Sequence, residues 1–244
     1  MKNTDTQAAK PDQTAEKVVD PFDPESFKSP AIMSVDKQVA GSTLKLLVFD
    51  MGHVFVDFDW EVVCAGFMKV SGKSREDMRQ IFFHCAKLGY ESGKIDTAGF
   101  LAELNKHLGT AIEREEFCKI WNASFDENKE MAELLSVLRE QRPLYLLSNT
   151  NEVHYEHLQG TFNVARHFSE LLLSYELGCS KPEHTIYREV LKRSGFAAAE
   201  CLFVDDLEPN IRAAQEVGLN TIHFKGAADL KTRLSAMGFK ISRS

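Results

Sequence analysis

Four short stretches of the chain are almost unbroken in apolar side chains. Residues 44–49 (LKLLVF) run straight into Asp50, and Leu144–Ser148, 170–174 and Cys201–Asp205 have the same character, with 221–224 as a weaker fifth. Short apolar runs bounded by turn signals predict strands buried on both faces, as in a parallel sheet. Between them the period changes to that of a helix. Residues 183–193 place Ile186, Tyr187, Val190 and Leu191 on one face, with Pro182 suited to the first turn and Gly195 to the end. Residues 210–217 followed by Gly218 repeat that start-and-stop logic. Strands alternating with helices predict an α/β fold, a Rossmann-like parallel sheet with helices on both faces.

Residues 60–142 break the alternation. They carry amphipathic helical patterns at 61–70, 75–87, 97–107 and 129–139, the last with Met131, Leu134, Leu135 and Leu138 in register, and no convincing strand. The expected organisation is an α/β core over 44–59 and 143–244, with 60–142 a small helical cap inserted after the first strand. That is the end of an α/β sheet where ligands bind. Pro11, Pro21, Pro24 and Pro30 fall among Asp, Lys, Ser and Gln in residues 1–43. Such a segment cannot bury enough apolar surface to order itself, and is expected to be a disordered tail.

Composition narrows the class. The chain has 244 residues, is 43% hydrophobic and 27% charged, and carries 29 basic against 36 acidic residues, a net charge of −7. A mildly acidic chain is a poor partner for nucleic acid or an anionic membrane, and no apolar run approaches a membrane span. The five cysteines include no CxxC pair, which argues for a reducing compartment. No apolar leader precedes the first strand, and Arg75 is the first arginine, so the cytoplasm is the expected location. A monomer or weak dimer is expected.

The chemistry gathers at the strand ends. The first run ends in Asp50, the second in Ser148-Asn149-Thr150 and the fourth in Asp205-Asp206, while the loop after the third carries Lys181-Pro182. In a parallel sheet these ends share one edge. Three carboxylates in one crevice repel each other, and one lysine does not balance them. Oxygen donors without His or Cys at ligand spacing favour a hard cation such as Mg²⁺. The Ser148 hydroxyl, the backbone N–H groups beyond it and the Lys181 ammonium suit a phosphoryl group. A spare carboxylate can then act as nucleophile.

Four segments in this order, LLVFDMGHVFVDFD (46–59), YLLSNTN (145–151), GCSKPEHTIY (178–187) and CLFVDDLEPNI (201–211), resemble the haloacid dehalogenase-like hydrolase superfamily over about residues 44–230. Within it, these pieces and YESGKID (90–96) in the insert are similar to small bacterial phosphatases acting on α-glucose-1-phosphate. The resemblance implies a phosphatase working through an aspartyl-phosphate. Asp50 matches the nucleophile and metal ligand, and Lys181 the lysine that orients it. Ser148 and Asn149 match the phosphate-binding motif. Asp205 and Asp206 match the acidic pair near Mg²⁺, Asp206 being the more regular ligand. Asn210 falls where many relatives have another acid.

One position departs. Gly52 stands where the family has a second Asp, so it keeps a carbonyl for the metal but has no proton to give. A positioned general acid is worth about 10²–10⁴-fold, so the expected substrate is a sugar 1-phosphate or another ester with a stabilised leaving oxygen. His53 is a weak substitute, since adjacent residues at an extended strand end face opposite ways. In the insert, Tyr90, Glu91 and Lys94 around Gly93 either read substrate groups or form an ordinary turn. Competing readings are a 2-haloacid dehalogenase, which needs no acidic pair for a metal, and a catalytically degenerate binding protein, which needs no nucleophile.

Overall fold

The structure is a computed structural model and describes residues 40–243. Most of the tail expected over 1–43 therefore lies outside the described residues. At its centre is a five-stranded parallel sheet: β1 (Leu46–Phe49), β4 (Leu144–Ser148), β5 (Glu170–Leu173), β6 (Cys201–Asp205) and β7 (Asn220–His223), in the order β5-β4-β1-β6-β7. β1 is flanked on both sides, Phe49 facing Leu146 on β4 and Val204 on β6. This central position explains its unbroken apolar run, which no solvent-facing strand would tolerate.

Side chains alternate across the sheet. Leu47 and Phe49 enter one core cluster, shared with α5 (Lys129–Leu138) and α10 (Ala227–Ala236). Leu46 and Val48 enter the other, filled by α8 (His184–Ser194) and α9 (Glu208–Val217). α8 starts two residues after Pro182, which sits in the preceding turn behind a cis Lys181–Pro182 bond, so the proline does not occupy the helix's first turn.

The insert folds as α1 (Trp60–Ser71), α2 (Arg75–Ala86), α3 (Thr97–Leu108) and α4 (Arg114–Trp121), around its own apolar cluster of Phe67, Phe82, Phe100, Phe117 and Trp121. Their ends are set locally. Asp59, Ser74 and Asp96 cap α1, α2 and α3, and Gly72 and Gly109 close α1 and α3 in the left-handed conformation.

Two features differ from the expectation. The pattern over 129–139 is indeed a helix, but α5 packs Met131, Leu134, Leu135 and Leu138 against the sheet rather than the insert. Helical periodicity reports that one face is buried and not which neighbour buries it. The insert also meets a strand pair, β2 (Val56–Asp57) antiparallel to β3 (Asp126–Glu127). Two polar residues give no alternation from which to read a strand.

The α/β core and the helical layer meet at α6 (Glu152–Phe162), which begins directly after the loop leaving β4. Val153 of α6 belongs to the insert's apolar cluster. Thr97 Oγ1 donates 2.8 Å to Glu152, and His154 Nε2 lies 3.2 Å from the Trp121 carbonyl with its ring stacked on Trp121. Burial holds the His154 imidazole down at about 3, so it is neutral. Among the described residues no helix is long and apolar enough to cross a membrane.

Candidate active site

The parallel sheet delivers Asp50, Ser148 and Asp205 to one edge because each stands at the C-terminal end of a central strand. Asp50 holds its place through its backbone N–H, which donates 2.9 Å to Val204 on the neighbouring strand. Lys181 reaches in from the loop before α8, with its ammonium 2.6 Å from Asp50 Oδ1 and 2.7 Å from Asp205 Oδ2. Both ends of this bridge are nearly dry: Lys181 is 5% exposed, Asp50 7% and Asp205 0%. Oxygens of Asp50, Asp205 and Asp206 lie within 4.8 Å of one another, the one such cluster of possible metal ligands among the described residues.

The charges in this crevice do not cancel. Burial pushes the Asp50 carboxyl up to about 7, against the pull of Lys181 and with the help of Asp205 and Asp206. Burial and Asp205 likewise push Asp206 up to about 6, with His53 and Lys181 opposing. Desolvation works against the Lys181 ammonium, but Asp205 and Asp50 outweigh it and hold the lysine charged. Two carboxyls displaced toward neutrality beside a filled ammonium are the signature of a site short of positive charge. A hard divalent cation on oxygen ligands fits that shortage.

Asp205 is differently employed from its neighbours. Its Oδ1 accepts from the Leu207 N–H at 2.8 Å and from Asn210 Nδ2 at 3.0 Å, while Oδ2 accepts from Lys181 and, at 3.1 Å, again from Asn210. Three donors thus make four contacts with its two oxygens, more than either neighbouring carboxylate of the cluster receives. Asp205 anchors Lys181 while keeping its place in the cluster of possible metal ligands, and Asp206 is the less engaged member of the pair. Tyr187 adds a further tie, its hydroxyl donating 2.9 Å to the Asn210 carbonyl.

The phosphate-binding segment also divides its labour. Ser148 is buried, and its hydroxyl makes only a long 3.4 Å contact to the Asn149 carbonyl. The Asn149 side chain is spent on Lys181: Nδ2 donates 2.8 Å to the lysine carbonyl and Oδ1 accepts from the lysine N–H at 2.8 Å. Asn149 therefore positions the lysine instead of offering its amide to a phosphate. The sequence reading passed over Ser174, which stands at the same sheet edge just after β5. Fully buried, it accepts from the Thr150 N–H at 2.9 Å and donates to the carbonyl of Glu91 in the insert. A serine ending a predicted strand at that edge was the available signal.

Glu91 lies on the loop between α2 and α3, which is pressed against the core so closely that a Cβ on Gly93 would stand 2.2 Å from the Tyr175 carbonyl oxygen. Glu91 is exposed, and desolvation raises its carboxyl while Lys181 pulls it back. Its neighbour Tyr90 is a packing residue, stacked on Phe100 at 4.4 Å with its hydroxyl 2.9 Å from Thr97 Oγ1. His53 is not on an extended strand end. It is left-handed (φ 52°), stacks on Phe58 at 4.3 Å and is near enough to Asp206 to lower its pKa, so the opposite-faces argument does not apply to it.

A doubly covered parallel sheet with a lysine-bridged carboxylate cluster at its C-terminal edge, and a helical insert following β1, defines a class of α/β hydrolases. The family model described as haloacid dehalogenase-like hydrolase matches residues 44–218, and the chain belongs to that family of enzymes. A D-ribitol-5-phosphate phosphatase of Bacteroides thetaiotaomicron is 30% identical over 203 residues, which is 80% of this chain and 98% of that protein. A sesquiterpene phosphatase of Aspergillus oryzae is 27% identical over 186 residues, 75% of this chain and 90% of its own. Among solved structures, a HAD family enzyme of Bacteroides thetaiotaomicron in complex with magnesium and inorganic phosphate superposes with a TM-score of 0.67 at 31% identity, covering 75% of this chain and 94% of that one.

Proposed function

We propose that this protein is a Mg²⁺-dependent phosphatase that hydrolyses a phosphate ester of a small sugar or polyol through an aspartyl-phosphate on Asp50. The observation that carries the reading is the Lys181 ammonium bridging Asp50 and Asp205 at 2.6 and 2.7 Å, with Asp206 alongside. The lysine fixes the rotamer of the Asp50 carboxylate and presents a charge to the phosphoryl oxygens. Asp50 attacks phosphorus, the ester oxygen leaves, and water then hydrolyses the acyl phosphate. The Ser148 hydroxyl and the backbone N–H groups after it receive the equatorial oxygens. Asp50, Asp206, the Gly52 carbonyl and, beside them, Asp205 would hold the ion, which would neutralise phosphate charge and keep Asp50 ionised.

Support for the substrate class comes from the relative named for D-ribitol-5-phosphate, similar over most of both chains. Within that class a sugar 1-phosphate makes the least demand on an acid, because its leaving oxygen is the better stabilised. The helical layer α1–α4 serves as the cap over the crevice, and the cytoplasm is its compartment. The test is inorganic phosphate release from sugar, polyol and acyl phosphates with and without Mg²⁺, using Asp50→Asn as blank. Metal-dependent release absent in Asp50→Asn is the expected result. No release from any ester returns the question to dehalogenation or to binding without turnover.

A further inference from the structure

We propose that Glu91, carried to the crevice by the loop between α2 and α3, is the leaving-group acid of this enzyme, in the position of need created by Gly52. The inference rests on the phosphatase reading above. Gly52 leaves the core motif without a proton donor, so an acid must come from elsewhere or the enzyme must do without one. Several side chains near the crevice are committed: Asn149 to the Lys181 backbone, Asp205 to Lys181, Asn210 and the Leu207 N–H, and Tyr90 to the insert's core, while His53 stacks on Phe58.

Glu91 is held where the role requires. The Ser174 hydroxyl that donates to its carbonyl also accepts from Thr150, two residues beyond Ser148, so one side chain ties the Glu91 backbone to the phosphate-binding segment. Gly93 fixes the other end of the loop against Tyr175. The Glu91 backbone is thus held beside the phosphate-binding segment, and its side chain is exposed to water. The surrounding protein raises its pKa, which favours the protonated form that donates.

The step balances. As the bond from Asp50 Oδ to phosphorus forms and the ester O–P bond breaks, the leaving oxygen takes the Glu91 carboxyl proton. In the second half water attacks phosphorus and the Asp50–phosphorus bond breaks, the water's protons leaving with the phosphate, and Glu91 is reprotonated from solvent.

The experiment compares wild type and Glu91→Gln on two esters with Mg²⁺ present: p-nitrophenyl phosphate, whose leaving group needs no proton, and ribitol 5-phosphate, whose alkoxide does. The expected result is a loss in kcat of about 10²–10⁴-fold on the polyol ester, an aryl ester rate near wild type, and an unchanged KM for both. Glu91→Asp, which keeps the acid one methylene shorter, should recover part of the polyol rate. An equal loss on both esters would mean a structural role, and an undiminished polyol rate no role in proton transfer; either overturns the inference while leaving the phosphatase reading intact. If wild type releases phosphate from neither ester, the phosphatase reading itself fails and takes this inference with it.

Discussion

Asn149 grips the backbone of Lys181 with both ends of its amide, donating 2.8 Å to the lysine carbonyl and accepting at 2.8 Å from the lysine N–H. Replacing it by Asp turns the donor into an acceptor facing a carbonyl oxygen. Leaving buried polar groups unpaired costs about 1–3 kcal/mol each, and the loop that aims Lys181 loosens. Asn149→Asp should therefore lower the urea midpoint and reduce kcat more than tenfold, as about 1.4 kcal/mol lost from the transition state implies. Urea unfolding and steady-state phosphate release check both.

Lys181→Met removes the ammonium that bridges Asp50 and Asp205 and leaves the two carboxyls buried without it. Breaking a buried pair from one side costs about 3–5 kcal/mol. The variant should lose activity and stability together, and added Mg²⁺ should return part of the stability but none of the turnover. Thermal melts with and without the metal read this directly.

The raised carboxyls of Asp50, about 7, and Asp206, about 6, fix a sign for pH. Each is easier to keep neutral in the fold than in the unfolded chain, where it ionises near 3.8. Their contribution to stability is full below about pH 4 and is lost as pH rises toward 7. Metal-free protein should thus lose stability across that window relative to Asp50→Asn. Mg²⁺ needs the ionised forms, so its stabilisation should grow over the same range, reaching about 2.7 kcal/mol at a hundredfold excess over its Kd. Melting curves at several pH values, with EDTA or Mg²⁺, test both slopes.

Gly52→Asp restores a carboxyl to the core motif. A Cβ there would stand 3.3 Å from Phe58 Cε1, a tight contact that a small ring shift relieves, and Gly52 is not among the left-handed glycines. In a Glu91→Gln background the substitution should return activity on ribitol 5-phosphate. A Phe58→Leu companion should help if the ring is the obstacle, and phosphate release from the double and triple variants decides.

Gly93→Ala puts a methyl against the Tyr175 carbonyl in a left-handed backbone, whereas at Gly109, also left-handed, nothing lies within 4 Å. Both variants incur the conformational cost of about 1–2 kcal/mol. Only Gly93→Ala should lift the Glu91 loop from the core and copy the leaving-group selectivity of Glu91→Gln. Rates on the two esters, normalised to each melting temperature, separate the two glycines.

The sheet was legible because β1, β4 and β6 are buried on both faces and so read as apolar runs, and each of them ends in a site residue. The helices of the insert were legible from their period and their Asp and Ser caps. What the sequence withheld is what depends on partners. The pattern of α5 marks a buried face but not the sheet as its neighbour. Asp205 and Asp206 are the same residue type side by side, and only the three donors around Asp205 tell the carboxylate that anchors Lys181 from its more open neighbour. Asn149 resembled a phosphate ligand because its amide could serve either partner, and the Lys181 backbone claims it. His53 escaped because a left-handed histidine has no sequence signature.

The two short strands flanking the insert have a modular consequence. Val56 pairs with Glu127 and Asp57 with Asp126, so the chain leaves the core and returns to it through adjacent, hydrogen-bonded positions. The intervening excursion is a closed loop whose ends are fixed whatever it contains, and closure entropy changes only slowly with loop length. Helices can be lengthened, exchanged or lost between those two points without disturbing the register of β1 against β4 and β6. The insert can then vary while the acidic crevice at the sheet edge stays as it is.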